Sequence, residues 1–271
     1  MGLRINTNIA AINASRTLRG STTSLNKSLE RLSSGLRINR AADDAAGLAI
    51  AEGFRALVRG AGVAQRNAQD GISLVQTAEG ALSETTNILQ RIRELAVQSS
   101  NGTVSTTNRQ ALQAEVTQLI SQIDDISTDT EFNGIRVLSV NQTVTLQAGA
   151  QASQTLAITM NGARAADLRV SVLSVSSATQ ATSSISTLDL ALRSVSTLRS
   201  NLGAFQNRLE FTINTLAIQE ENSAASESAI RDANIASETI AFTRNQILVS
   251  AGTTVLAQAN LVPQSALSLL A

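Results

Sequence analysis

The sequence predicts a mainly α-helical protein: long antiparallel helices in a rod-like bundle or coiled coil, with a small β-hairpin region near the middle of the chain. Pro occurs once, at Pro263, so almost nothing interrupts long helices. Hydrophobic residues make up 43% of the chain but aromatic residues only 2%, and a core of small aliphatic side chains suits close helix packing better than a deep ligand pocket. Over most of the chain, apolar residues recur at steps of three and four, the helical period.

The first helix is predicted from Ile5 to Leu36, with one slip in the spacing between Ile12 and Leu18. A connector is expected near residues 33–46, where small and polar residues replace the apolar pattern. The second helix carries the pattern over roughly 45 residues, about 70 Å of rod, and ends at Asn101-Gly102. Thr107 and Gln110 match a capping box for a third helix that extends to Ile126.

The period changes to two after Asn133-Gly134, a tight-turn signal. Alternating apolar residues predict β-hairpins over about residues 135–175, with a second turn at Asn161-Gly162. The alternating positions are Val144, Leu146, Ala148, Leu156, Ile158, Met160, Leu168, Val170 and Val172. Helical spacing returns from Ile185 to Leu216, and a last helix follows from about Ala229. Folding the chain back at the hairpins brings the two ends side by side.

The last stretch, residues 245–271, has no charged side chain and is apolar around most of its circumference. Such a helix requires neighbours on several sides. Polar Asn, Gln, Ser and Thr interrupt it too often for a membrane span. The sequence therefore favours burial in an assembly.

Composition excludes most chemistry. The formal net charge is zero, which gives no reason to expect nucleic acid or an anionic membrane as partner. There is no Cys and no His, and adjacent acidic pairs such as Asp43-Asp44 project to different helix faces. We expect no enzyme activity and no catalytic, cofactor-binding or metal-binding residue. The Ser/Thr-rich run at 171–187 is either a loop entering a helix or a site of O-linked sugars, and Asn101-Gly-Thr103 matches the glycosylation tripeptide, a pattern common by chance.

Several long motifs, in order, resemble bacterial flagellin. They are SSGLRINRAADDAAGLAI at 33–50, LQRIRELAVQS at 89–99, EFNGIRVL at 131–138, LGAFQNRL at 202–209 and nearly all of 245–270. The resemblance covers both ends and most of the middle, and it lacks the variable outer region of larger flagellins. The chain is thus similar to a short flagellin that carries the filament-building domains.

This resemblance implies a subunit of the helical filament used for swimming. It implies a discontinuous inner domain of terminal helices, residues 1–43 plus 232–271, and an outer-tube rod domain, residues 44–231. It further implies an extracellular flagellar location reached by type III export without a cleaved signal peptide. The implied partners are copies of the same chain, an export chaperone on the C-terminal segment, and the filament cap and hook–filament junction proteins. We hypothesise that the terminal helices fold only when neighbouring subunits cover them.

Two sets of site residues follow. The first comprises apolar positions of the terminal helices expected at the assembly interface: Ile5, Ile9, Ile12, Leu29, Leu32, Leu36, Ile247, Leu248, Val255, Leu256, Leu261, Leu269 and Leu270. The second is implied by the resemblance of residues 89–99 to the segment that Toll-like immune receptors recognise: Arg91, Glu94 and Leu95, with Glu115 on the neighbouring helix. Two other functions stay open: a hook–filament junction protein of the same family, and a secreted helical protein that inserts into membranes.

Overall fold

The computed structural model describes residues 7–268, with only the backbone described for residues 262–268. Its elements in chain order are α1 (Ile9–Ser34), α2 (Ala45–Ser100), α3 (Thr106–Asp129), β1 (Glu131–Phe132), β2 (Ile135–Arg136), β3 (Gln142–Gln147), β4 (Thr155–Met160), α4 (Ala178–Arg231) and α5 (Ile235–Ser268). Long helices with two short antiparallel hairpins in mid-chain confirm the predicted fold class.

The chain divides into two compact units. Unit 1 comprises Met1–Ala56 with Asn222–Ala271, and unit 2 comprises Leu57–Glu221. Each unit has its own packing.

In unit 1, α1 and α5 form an antiparallel pair. The Asn8 side chain, which caps α1 by accepting from the Ala11 N–H, donates to the Ala259 carbonyl at 2.8 Å. At the other end of α1, Arg31 lies 3.5 Å from Glu238. The half-buried and buried residues of α1 repeat at alternating steps of three and four, as in a coiled coil. The residues of this series are Ala11, Ala14, Leu18, Ser21, Leu25, Ser28 and Leu32, and the half-buried Ser15, Glu30 and Arg31 lie beside it.

This seam differs from the predicted stripe. Ile9, Ile12 and Leu29 were placed on the same face as Leu18, but all three are more than half exposed. The observed seam has no slip at Leu18, since it continues through alanines instead of through the isoleucines. Small side chains let two helix backbones approach closely, and a Cβ atom added at Gly252 of α5 would lie 3.1 Å from the Leu18 side chain.

The connector predicted near residues 33–46 occupies residues 35–44 in the structure. Gly35 adopts a left-handed conformation (φ 72°) and closes α1 by donating to the Arg31 carbonyl. Leu36 then forms an antiparallel bridge with Asp232, in the short break between α4 and α5. The Arg37 N–H donates to the Arg231 carbonyl at 2.6 Å. These bonds join the two places where the chain enters the terminal helices.

In unit 2, residues from α2, α3, α4 and the β3–β4 hairpin share one apolar core. Its largest fully buried side chains include Leu82, Leu89, Ile92, Ile123 and Leu188. Thr85 interrupts the apolar series but is also buried, because its hydroxyl donates to the Ala81 carbonyl of the same helix at 3.0 Å. The hydroxyl therefore loses no hydrogen bond on burial.

Two local predictions are wrong. The helix α3 begins with Ser105 as its cap, whose hydroxyl accepts from the Asn108 N–H, instead of with a Thr107–Gln110 box. The alternating residues 168–172 form turns and not a strand: Leu168 and Val170 are buried, while Val172 is 88% exposed. Alternation cannot distinguish a strand from an irregular segment that fixes two apolar side chains in the core.

The Asn133-Gly134 turn is confirmed. Both residues have positive φ, 51° and 77°, as a two-residue hairpin loop between β1 and β2 requires. The β3–β4 hairpin pairs Gln142 with Met160 through Gln147 with Thr155. The last two helices begin and end elsewhere than predicted, with α4 reaching Arg231 and α5 starting at Ile235.

Candidate functional site: the outward faces of the terminal helices

The seam with α1 accounts for only one side of α5. On the opposite side, Ile240, Ile247 and Leu261 are 62%, 63% and 52% exposed. They lie at multiples of seven residues, so they form one stripe along the helix. Leu248 and Val255 widen this stripe and are also about half exposed. We call these five residues the outer stripe of α5.

The outer stripe borders a groove. The groove has a volume of about 440 Å³ and is lined by Thr239, Ile240, Thr243, Arg244, Ile247 and Leu248. Arg244 is its single charge, and no charged residue follows it in the chain. A long exposed apolar face of this kind is uncommon on a protein that acts alone, and it marks an interaction surface.

The α1 helix carries a smaller apolar set on its outer side. Ile9, Ile12 and Leu29 are 56%, 59% and 56% exposed. Arg16 and Arg19 lie beside Ile12 along a second open groove of about 570 Å³, which Leu256 of α5 also lines. This face is thus apolar and positively charged, whereas the outer stripe of α5 is nearly uncharged.

Among the described residues, the structure therefore separates the predicted interface residues into two groups. Seven of them face outward: Ile9, Ile12, Leu29, Ile247, Leu248, Val255 and Leu261. Leu32, Leu36 and Leu256 are half-buried. Ile5, Leu269 and Leu270 lie outside the described residues.

The predicted receptor-contact residues divide as well. On the surface of unit 2, Arg91 lies 2.9 Å from Glu115 and 3.1 Å from Glu94. Hydrogen bonds to Glu115 first, and then to Glu94, raise the pKa of the Arg91 guanidinium above its usual value. Leu95 is 1% exposed and belongs to the core beneath them. Its side chain supports the helix surface that the three charged residues occupy.

The prediction missed a second apolar set on α4. Leu190, Phe211 and Ile218 are 60%, 72% and 62% exposed and lie at multiples of seven residues. Phe211 also lines an open cleft of about 590 Å³ with Ala148, Gly149 and Arg208. In the sequence, these three residues form a second heptad series beside the buried series of α4. The prediction used only the buried series.

The described part of the chain contains no cluster of three or more acidic residues able to hold a metal ion. Among its helices, none combines the length and hydrophobicity needed to cross a membrane. The arrangement is suited to packing against other helices.

Comparisons with known proteins agree with this geometry. Residues 5–143 match the family described as the bacterial flagellin N-terminal helical region, and residues 185–270 match the bacterial flagellin C-terminal helical region. A flagellar filament 33 kDa core protein of Treponema phagedenis is 44% identical, over 98% of this chain and 99% of its own length. A flagellin of Halalkalibacterium halodurans is 47% identical over the same shares. A solved structure assigned to a flagellar hook-associated protein of Vibrio parahaemolyticus shares the fold, with a TM-score of 0.59 and 11% identity over 70% of this chain and 100% of that one.

Proposed function

The chain belongs to the bacterial flagellin family, and we propose that the outer stripe of α5 and the outer face of α1 are the surfaces through which its copies polymerise. As a flagellin it is a structural, non-enzymatic subunit of the extracellular flagellar filament. The observation that carries the proposal is the outer stripe, five large apolar side chains left exposed on a helix whose other side already packs on α1.

The physical reason is that the α1–α5 seam buries too little apolar area to offset the entropy lost when the two helices fold. Ordering each residue costs about 1–2 kcal/mol of backbone entropy. The α1–α5 seam offsets part of this cost, but alanines and serines occupy four of its seven α1 positions, and small side chains bury little apolar area. Contacts from neighbouring subunits supply the remainder by covering Ile240, Ile247 and Leu261. Because such a contact joins different surfaces of two copies and does not close on itself, its repetition yields a helical fibre.

The same reasoning assigns the two parts of the chain to different layers of the filament. Residues 1–43 with 232–271 form the inner domain that lines the filament core, and residues 44–231 form the outer-tube rod. Support comes from the positions where the helices are interrupted. Residues 35–44 connect α1 to α2, and residues 232–234 connect α4 to α5.

Coupled folding is the first consequence to test. In the monomer, α1 and α5 are largely unfolded, and they become helical as neighbours cover them. Amide hydrogen exchange followed by mass spectrometry on the monomer and on the filament should show fast exchange in α1 and α5 that slows on assembly. Slow exchange in both helices before polymerisation would refute coupled folding while leaving the interface proposal in place.

The interface is tested by truncation. A chain lacking residues 261–271 should fail to polymerise, because it loses one end of the outer stripe together with the apolar end of the chain. The core of unit 2 does not involve these residues, so its thermal unfolding should be unchanged. Filaments of normal length from this truncated chain, seen by electron microscopy, would overturn the proposal.

Further partners follow from the same surface. Before assembly, the outer stripe of α5 needs cover, and an export chaperone that binds the C-terminal segment would provide it. The filament cap and the hook–filament junction proteins would engage the same stripes at the two ends of the polymer. Co-purification of the full chain, but not the truncated chain, with the chaperone would support this arrangement.

Recognition by a Toll-like receptor is supported by the charged set on unit 2. Arg91, Glu94 and Glu115 are exposed and held together by ion pairs, and a complementary charged surface can bind them. The buried Leu95 side chain contributes by holding this helix in position against the core. A cell reporter of receptor signalling, tested with Arg91→Ala monomer against the natural monomer, should show loss of response.

The alternatives are less well supported. The filament relatives are 44–47% identical over nearly the whole chain, whereas the hook-associated structure shares only the fold. A junction protein would form a single layer, so long polymers from pure subunits would exclude that role. Binding of the monomer to lipid vesicles without fibre formation would favour the membrane-inserting protein.

A further inference from the structure

Three Asn-Gly pairs lie in unit 2, outside the surfaces assigned to assembly: Asn101-Gly102, Asn133-Gly134 and Asn161-Gly162. In an Asn-Gly pair, the glycine nitrogen can attack the Asn side-chain carbon, because glycine places no side chain in the way. The nitrogen loses its proton to solvent, and the side-chain amide leaves as ammonia. Water then opens the resulting five-membered imide to aspartate or isoaspartate. The net reaction consumes one water molecule and releases one ammonia.

The three pairs differ in how easily the glycine nitrogen can reach the Asn side-chain carbon in the folded protein. At Asn161-Gly162, the Gly162 N–H donates to the Asn141 side-chain oxygen at 2.8 Å, and Gly162 is buried. The Asp167 carboxylate also lies close against Gly162, so this segment is crowded on that side. Attack requires this segment to open first.

At Asn133-Gly134, the constraint is the turn itself. Both residues hold positive φ between paired residues Phe132 and Ile135. Closing the imide ring onto the Gly134 nitrogen forces the Asn133 backbone out of this left-handed turn conformation, so the reaction requires the hairpin pairing to break first.

At Asn101-Gly102, neither constraint applies. Residues 101–103 are all exposed, and the space around Gly102 is open. No hydrogen bond from the Gly102 N–H is present within the described residues. The Asn101 side-chain oxygen accepts from the Thr103 N–H at 3.2 Å. This bond turns the side chain toward the following backbone, and it stabilises the negative charge that develops on the oxygen during attack.

We propose that Asn101 is a site of spontaneous deamidation in the folded protein, and that the fold protects Asn133 and Asn161. The product carries a carboxylate just beyond the end of α2, where the helix dipole alone disfavours an anion. Arg109 offsets this effect, since its guanidinium donates to the carbonyls of Ser99 and Asn101 at 2.9 and 3.0 Å. Each modified subunit gains one negative charge on a chain whose formal net charge is zero, so a filament becomes anionic as it ages.

The test is to incubate the purified full-length protein at mildly alkaline pH and follow each Asn-Gly peptide by mass spectrometry. Asn101 should be modified fastest. Opening one hydrogen bond has a population cost of about five- to tenfold, so Asn161 should react at least that much more slowly. The same incubation in concentrated denaturant should bring the three rates together, because each pair then has the same flexible neighbour.

Two variants make the assignment specific. Gly102→Ala should slow the reaction at position 101 alone. Asn141→Ala frees the Gly162 N–H and should raise the rate at Asn161 while leaving Asn101 unchanged. Faster modification of Asn133 or Asn161 than of Asn101 in the folded chain would overturn the proposal, as would a rate order that stays the same in denaturant.

Discussion

Ile247 offers the sharpest test of the outer stripe. Its side chain is 63% exposed in the isolated chain and points away from the α1–α5 seam. Replacing it with alanine therefore leaves the packing within the subunit nearly intact. If neighbouring subunits cover this residue in the filament, Ile247→Ala weakens the contact between subunits and leaves the α1–α5 seam unchanged.

The expected magnitude follows from the exposed fraction. Burying a whole isoleucine side chain is worth about 1.5–3 kcal/mol. With 63% of Ile247 still to be covered, and with alanine retaining a small part of the area, the loss is about 1–1.5 kcal/mol per subunit. Since 1.4 kcal/mol corresponds to a tenfold change in an equilibrium constant, the critical concentration for polymerisation should rise about five- to twelvefold.

The assay is to pellet seeded filaments and measure the soluble subunit that remains at equilibrium. Val172→Ala is the matched control, because Val172 is 88% exposed in a loop of unit 2 and belongs to neither terminal helix. It should leave the critical concentration unchanged. An unchanged value for Ile247→Ala would refute the reasoning, and so would an equal rise in both variants.

Three further predictions concern folding and charge. Leu82→Ala, at a site with 0% exposure, should destabilise unit 2 by about 2–5 kcal/mol, measured by chemical denaturation; a loss below 1 kcal/mol would contradict its place in the core. Arg91→Ala removes ion pairs among groups that are roughly half exposed and should cost about 1 kcal/mol or less, so a large fall in the thermal midpoint would show a structural role instead. The pKa of Asp43 is lowered from 3.8 to about 2, first by its hydrogen bond to Lys27 and then by the Arg40 N–H. Because this folded-state pKa is lowered, the stabilisation is complete above pH 3.8 and is lost as the pH falls through 2. Carboxyl resonances in NMR should show a midpoint near 2 that moves up toward 3.8 in Lys27→Met, and an unmoved midpoint would exclude the ion pair as the cause.

Local pattern was sufficient where one interaction dominates. Four helical segments and the last helix were predicted from their spacing, because a helix with one buried face repeats apolar residues at its own period. The Asn133-Gly134 turn was predicted because a two-residue loop needs two residues that tolerate positive φ. In each case the determining residues are close together in sequence.

Local pattern failed where two readings of the same residues compete. The positions 168–172 alternate like a strand, yet the chain buries Leu168 and Val170 from an irregular segment. Around Ile9 and Ile12, the large residues looked like the inner face of α1, but Ala11 and Ala14 form that face. Apolar character alone cannot reveal which of two faces a partner helix occupies, since that depends on how closely the backbones approach.

The sequence by itself determined that the chain is helical, that its last 27 residues carry no charge, and that it resembles flagellin. Those properties reside in composition, period and motif. The tertiary structure alone decided which apolar residues are used within the subunit and which remain for its neighbours. It assigned Leu18 and Leu25 to the seam and left Ile240 and Ile247 on the outside. The reason is that α1 and α5 each bury one face against the other and leave the opposite face exposed. The same pairing places Leu256 in the seam and the adjacent Val255 on the outer stripe.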